Sequence, residues 1–480
     1  MSARAEGQPR SVGARAERGP GSSAGHDDAA ERARRASRPD ESRVAAILRD
    51  GYADYARHVN PLVALRAQLT GEPAHIVGVD GGRLVDGDGR RIECLHGTQA
   101  FGHRHPAIAA AVRELLDGDA PSWLPARVNP YAGSLARRLC ERANGAGGPA
   151  DYAIGYFASS GSEVVEAAIK LARAATGRPR VVGLERAYHG CTLGSVALMA
   201  PGAYRDPFAP HLPGVAAIAN GDVDALAREL AAGDVAAVVV EPIQLEGGVR
   251  PLPAPFVDAL AELTARHGTL LVADEIQTGL GRTGRFLASE AWPRRPDAVL
   301  LGKHLGGGLL PISAMLTRAE LWRRAYGASL EASEAHNCTF SGSAAPCLAA
   351  HAALDLLTDD VLARVGRAGE AFARGVREAL AGLPLFDEVR GEGFAIGIAL
   401  HATDHPWLSF EHFGMAELGD HPTVGLLLCH RLYRHGFFGF VCGHDWRVLR
   451  LQPRFFIDDE TLARLTAALR SELEALCELI

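Results

Sequence analysis

The stretch Thr269–Gly308, TLLVADEIQTGLGRTGRFLASEAWPRRPDAVLLGKHLGGG, decides how this chain is read. It carries two apolar runs, each closed by a polar residue. Leu270-Leu271-Val272-Ala273 precedes Asp274-Glu275, and Ala298-Val299-Leu300-Leu301-Gly302 precedes Lys303. Short apolar runs bounded by glycine, proline and charge predict buried strands. An open parallel sheet binds ligands outside the carboxyl ends of its strands, so Asp274 and Lys303 are expected at one crevice.

A buried lysine and a buried carboxylate in one crevice suit pyridoxal phosphate. The amine forms a Schiff base with its aldehyde, and the carboxylate pairs with the protonated pyridine nitrogen and keeps the ring an electron sink. Taken singly, each is an ordinary residue, a strand-end acid or a surface lysine. The spacing and the glycines after Lys303 favour the joint reading. The stretch also resembles the signature of the class III, ornithine-type aminotransferases, in which DEIQTGLGRTG is followed by a strand and GK-x-L-GGG. The likeness runs from about Tyr55 to the C-terminus. It implies a fold type I α/β protein: a large domain around a seven-stranded, mostly parallel sheet and a smaller α+β terminal domain. The expected division is a disordered tail at 1–42, an N-terminal segment bordering the active site at 43–100, a large cofactor-binding domain at 101–358 and a small domain at 359–480.

Other motifs join this reading. Phe157–Ser162 is expected to end a strand and open a helix, with Val165, Ile169 and Ala172 on its apolar stripe. A Gly/Ser turn at a helix N-terminus offers free amides and the positive dipole end to a phosphate. Ser160, Gly161 and Ser162 match the place where the family holds the cofactor phosphate. Tyr188, in Tyr188-His189-Gly190-Cys191, matches the family's ring-stacking position. Gln277 matches the residue that approaches the phenolic oxygen. Thr339, in His336–Gly342, matches the threonine that reaches the neighbouring subunit's cofactor phosphate, which implies a homodimer or higher with shared sites. Glu246, in Glu241–Gly248, matches a carboxylate that pairs with an active-site arginine and swings away when an α-carboxylate arrives. Arg450 matches that arginine.

Departures from the pattern bear on substrate. Ornithine-type enzymes carry arginine where Cys191 stands, and a thiol cannot grip a distal carboxylate; Cys191 is read as pocket wall. Relatives carry a small or aromatic residue in place of His96, which either touches substrate or serves as a structural histidine. His304 follows the lysine where relatives have a small residue, and it either crowds the Schiff base or hydrogen-bonds nearby. Arg454 is a candidate to supply the carboxylate grip that Cys191 cannot. Arg282 and Arg285 are read as structural or surface residues.

Composition narrows the classes. At 480 residues, 47% hydrophobic and 22% charged, the chain reads as a soluble globular protein of more than one domain. A net charge of -7 argues against nucleic-acid binding. No apolar run is long enough to span a bilayer. The chain has 8 cysteines and no C-x-x-C pair, which suggests reduced thiols and a cytoplasmic enzyme with no metal site. Residues 1–42 lack aromatic residues and cannot bury enough surface to offset their ordering entropy. Their acidic residues speak against a transit peptide. Residues 401–424 form a His-rich insertion whose spacings match no standard metal set, so a packed surface loop is expected.

The function expected is transamination in two halves. A donor, favoured as an ω-amine or diamino acid, gives its amino group to the cofactor, and an oxo acid such as 2-oxoglutarate or pyruvate takes it away. The same scaffold supports an aminomutase or a decarboxylating enzyme, and a non-catalytic binding protein is a further alternative. Intact Lys303, Asp274 and Thr339 argue against the last.

Overall fold

The structure is a computed structural model that describes residues 42–70, 75–124, 128–145, 151–403, 405, 408 and 422–479. The expected tail therefore lies outside the described residues except for Ser42, as does most of the 401–424 insertion, including His412 and His421. The chain divides into two compact units, one ending at Ala64 and one starting at Leu65. In the first, Ser42 caps the helix Arg43–His58, its hydroxyl accepting from the Ala45 amide at 3.2 Å.

The second unit is built on a seven-stranded sheet. Its strands in chain order are β1 (Ile154–Ala158), β2 (Arg180–Leu184), β3 (Val215–Ile218), β4 (Val235–Val240), β5 (Leu270–Asp274), β6 (Ala298–Leu301) and β7 (Ser313–Thr317). They lie in the order β1-β7-β6-β5-β4-β2-β3, and β7 alone runs antiparallel to its neighbours. Every residue of β4, β5 and β6 is buried. Such strands, covered on both faces, read as continuous apolar runs instead of alternating ones.

Helix Gly161–Thr176 packs on this sheet with Val164, Val165, Ala167, Ala168, Ile169, Leu171 and Ala172 buried. Its expected stripe widens because one face meets the sheet and another meets Tyr326 and Leu321. Helix Pro106–Asp117 buries Ile108 and Leu115, while Leu116 is exposed. Strands Ile76–Asp80, Arg83–Asp86 and Arg91–Cys94 form an antiparallel meander. Phe437–Phe438 then joins it in parallel beside Arg91–Cys94, a long-range pairing that no local pattern announces.

After helix Ala344–Leu356 come the long helix Asp359–Leu380, a four-stranded antiparallel sheet and the final helix Asp459–Cys477. One apolar core runs from Leu301 and Leu305 to Phe394 and Leu465, so this part is packed continuously with the large sheet. No helix among the described residues is long and apolar enough to cross a membrane.

Candidate active site

The carboxyl ends of three strands deliver the chemistry. β4 is followed by Glu241, β5 ends on Asp274, and β6 is followed by Gly302 and Lys303. The Lys303 Nζ donates to Gln277 Oε1 at 2.6 Å, and Gln277 Nε2 donates to Gln452 Oε1 at 2.9 Å. Lys303 has φ +47°, a left-handed conformation that a side chain-bearing residue adopts only when its surroundings impose it. Burial pulls the Lys303 pKa down against the nearby charges of Asp274 and Glu241, which hold it up.

Asp274 is fixed from two sides. Its Oδ2 lies 2.7 Å from His189 Nδ1, and its Oδ1 accepts from the Ile276 amide at 3.1 Å. Burial disfavours a charged His189, but the bond and charge of Asp274, with Glu241 behind, outweigh it and raise its pKa. Burial pushes Glu241 up to about 7, with His189 opposing and Asp274 adding to the rise. Its Oε1 accepts from the Tyr188 amide at 3.0 Å.

These groups face a cavity of about 390 Å³, lined on its other side by Ser160, Gly161, Ser162, Tyr188 and Gly190. The Ser160 hydroxyl caps the helix by accepting from the Glu163 amide at 3.4 Å, and the Glu163 side chain reciprocates, a capping box. Ser162 Oγ accepts from the Cys191 amide at 3.0 Å. A Cβ on Gly190 would fall 2.1 Å from that oxygen, so only glycine lets this loop meet the first turn of the helix here. The residues present fit pyridoxal phosphate: an amine for the aldehyde, a buried acid for the ring nitrogen, and a helix N-terminus for the phosphate.

A second group lies outside that cavity. Arg450 Nη1 donates to Glu246 Oε1, and Glu246 Oε2 accepts from the Gly443 amide at 3.0 Å. Burial pulls Arg450 down to about 10, with Glu241 and Tyr188 supporting its charge. Phe440 is its direct cross-strand partner, and the His96 ring meets Phe440 edge-on at 4.7 Å. Burial, then the charges of Arg450 and Lys303, drive His96 down to about 3 and keep it neutral. Cys191 is exposed, its Sγ 3.1 Å from the Tyr188 hydroxyl.

Thr339 does not line the cavity of its own chain; it is exposed, and its carbonyl accepts from Trp123 Nε1 at 2.9 Å. Arg454 is engaged elsewhere, which corrects the expectation that it grips a carboxylate in place of residue 191. Its Nε donates to Glu93 at 2.8 Å, its Nη1 donates to the Phe456 carbonyl at 2.9 Å, and it lines a different cavity with His103 and Arg104. Arg282 is structural: fully buried, it donates to the Pro453 and Gly97 carbonyls at 2.6 and 2.8 Å.

Sequence reasoning missed His189, Glu241 and Gln452. Glu241 carries the same signal that singled out Asp274, an acid directly after a buried strand. His189 sits inside the Tyr-His-Gly motif that marks Tyr188. Gln452 had no signal, because its role is a side-chain hydrogen bond from Gln277, 175 residues earlier in the chain.

Comparison with known proteins extends the geometry. A family model described as aminotransferase class-III matches residues 64–473. The acetylornithine aminotransferase of Mycobacterium bovis is 42% identical over 340 residues, covering 69% of this chain and 81% of that one. Aminotransferase PigE of Serratia is 32% identical over 354 residues, which are 73% of this chain but only 41% of that longer protein. Among solved structures, the ornithine aminotransferase of Toxoplasma gondii is similar with a TM-score of 0.75 and 27% identity, covering 90% of this chain and 96% of that one. With the strand-end lysine and acid, the helix-capped cavity and a family match over most of its length, the chain belongs to the class-III aminotransferases, enzymes that transfer amino groups with pyridoxal phosphate.

Proposed function

We propose that this enzyme moves an amino group from an ω-amine or diamino acid donor to an oxo acid, 2-oxoglutarate or pyruvate, in a ping-pong cycle. The observation that carries the donor and acceptor reading is the Glu246–Arg450 ion pair, partly buried beside the cavity that holds Lys303. A closed pair presents no free cation, which suits an ω-amine; an opened pair frees a guanidinium for the α-carboxylate of glutamate. When bound, pyridoxal phosphate supplies an aldehyde that takes up amines and a ring that accepts the electron pair released at the substrate carbon.

The chain's own residues do the rest. Lys303 Nζ carries a proton to and from the substrate carbon, and Gln277 Oε1 aims it. Asp274, steadied by His189, keeps a negative charge at the ring nitrogen. Ser160, Gly161 and Ser162 hold the phosphate, and Tyr188 covers a ring face. His96 and Cys191 wall the substrate side. Thr339 serves the cofactor phosphate of a second copy, so the active unit is at least a homodimer. The enzyme works in the cytoplasm, and its small domain begins near residue 359.

The test is an absorbance titration of the reconstituted enzyme. L-Glutamate is expected to bleach the cofactor's long-wavelength band, and 2-oxoglutarate to restore it. A spectrum indifferent to glutamate would remove glutamate and its oxo acid from the cycle. An ω-amine that also fails to bleach the band would remove the donor class.

A further inference from the structure

His304 is the side chain beside Lys303 that the reaction leaves unused. It is 1% exposed, and its Nε2 lies 3.1 Å from the Gly279 carbonyl oxygen. A carbonyl only accepts, so Nε2 carries the proton and Nδ1 is left as a lone-pair nitrogen. That Nδ1 is buried and has no partner among the described residues. Burial, reinforced by the charge of Arg282, keeps the ring neutral at about 3. The ring stands edge-on to Phe455 at 5.7 Å, and the Arg282 guanidinium covers the same phenyl at 5.0 Å.

The bond joins two segments beyond the point where their parent strands stop pairing, at the Glu275 amide that donates to the Leu300 carbonyl at 2.9 Å. Gly279 closes the turn that carries Gln277, its amide donating to the Glu275 carbonyl at 2.9 Å. On the other segment, Lys303 sits at φ +47°, flanked by the Leu305 amide donating to the Gly302 carbonyl and the Gly307 amide donating to the His304 carbonyl, both at 2.9 Å. A left-handed lysine persists only where neighbours over-determine it. We infer that His304 is a positioning residue: its bond to Gly279 locks the lysine segment onto the glutamine turn and sets the Lys303 Nζ–Gln277 Oε1 contact. This rests on the reading of Lys303 as the proton carrier.

A ring held only for packing behaves differently from one held for aim. His304→Leu keeps apolar volume, removes the partnerless Nδ1 and leaves Gly279 O its second donor, the Arg282 amide at 3.3 Å. Its melting temperature is therefore expected to stay level or rise. Its kcat is expected to fall about 10-fold with KM for the amino donor little changed, because misplacing a reacting group costs rate and not binding. His304→Gln, which can place an N–H near the former Nε2, is expected to recover most of kcat. In cofactor-free protein, acetic anhydride labelling of Lys303 across pH, read by peptide mass spectrometry, should show its midpoint moved to lower pH in His304→Leu. The ammonium there no longer has the Gln277 acceptor.

Unchanged kcat and labelling midpoint in His304→Leu, beside an inactive Lys303→Ala control, would overturn the positioning role alone. An active Lys303→Ala would overturn the reading of Lys303 beneath it. A kcat that falls in step with melting temperature, with no recovery in His304→Gln, would make His304 a packing residue.

Discussion

The cofactor cavity and the Glu246–Arg450 side are built differently. The cavity takes its chemistry from adjoining strand ends: Glu241 after β4, Asp274 at the end of β5 and Lys303 after β6. These strands are buried throughout, so their ends are held by the core. The other side is assembled across the chain. Arg450 comes from a strand of the C-terminal sheet, Glu246 from a loop 204 residues earlier, and His96 from just after the strand Arg91–Cys94. On the proposed function, the amine chemistry sits on strand ends buried in the core, whereas selection of a carboxylate would rest on a contact between remote segments.

Substitutions can break this contrast. The largest effect is expected from Lys303→Ala, a loss of about 10³-fold or more in turnover, as expected when the proton carrier is removed. Single-turnover kinetics with any donor should show it, because the cavity serves every substrate.

Arg450→Leu should be selective. The remaining Glu246 is left partly buried without its partner, and the grip on an α-carboxylate is gone. A loss of about 10²-fold in kcat/KM is expected for glutamate, from the roughly 2–5 kcal/mol that such pairs cost when broken. An ω-amine lacking an α-carboxylate should lose much less. Equal losses for both would erase the distinction between the two regions.

Glu241→Gln sharpens the comparison through pH. The Glu241 pKa, raised to about 7 in the folded protein, exceeds the ordinary 4.5. Between these values the folded state holds a proton that the unfolded state has lost. The Glu241 contribution to stability therefore falls with rising pH across this window, by about 3 kcal/mol in total. In urea titrations of cofactor-free protein, Glu241→Gln should gain that much above pH 7 and nothing below 4.5. A pH-independent difference would place the buried charge elsewhere.

The smallest effect is expected from Cys191→Arg. An arginine at this exposed position beside Tyr188 should lower KM for 2-oxoglutarate by about 5-fold, a gain held down by solvent screening. No change would show that the acceptor's distal carboxylate does not reach Cys191.

Asp274, Lys303 and the capped helix at Ser160 were legible because each follows from a local rule. An apolar run too short for a helix becomes a buried strand, and its first polar residue lies at the sheet's edge. A Gly/Ser turn before an apolar stripe becomes a helix N-terminus. Composition and pattern thus determined the parallel core, the position of the crevice and the residues that could meet a cofactor there. Tertiary structure decided what the pattern leaves open. It turned Arg454 toward Glu93, buried Arg282 among carbonyls, tied His189 to Asp274 and added Phe437–Phe438 to a sheet far earlier in the chain. The physical reason is range. Strand and cap preferences act over a few residues, whereas a buried guanidinium or imidazole takes whichever acceptor the packed core brings within about 3 Å.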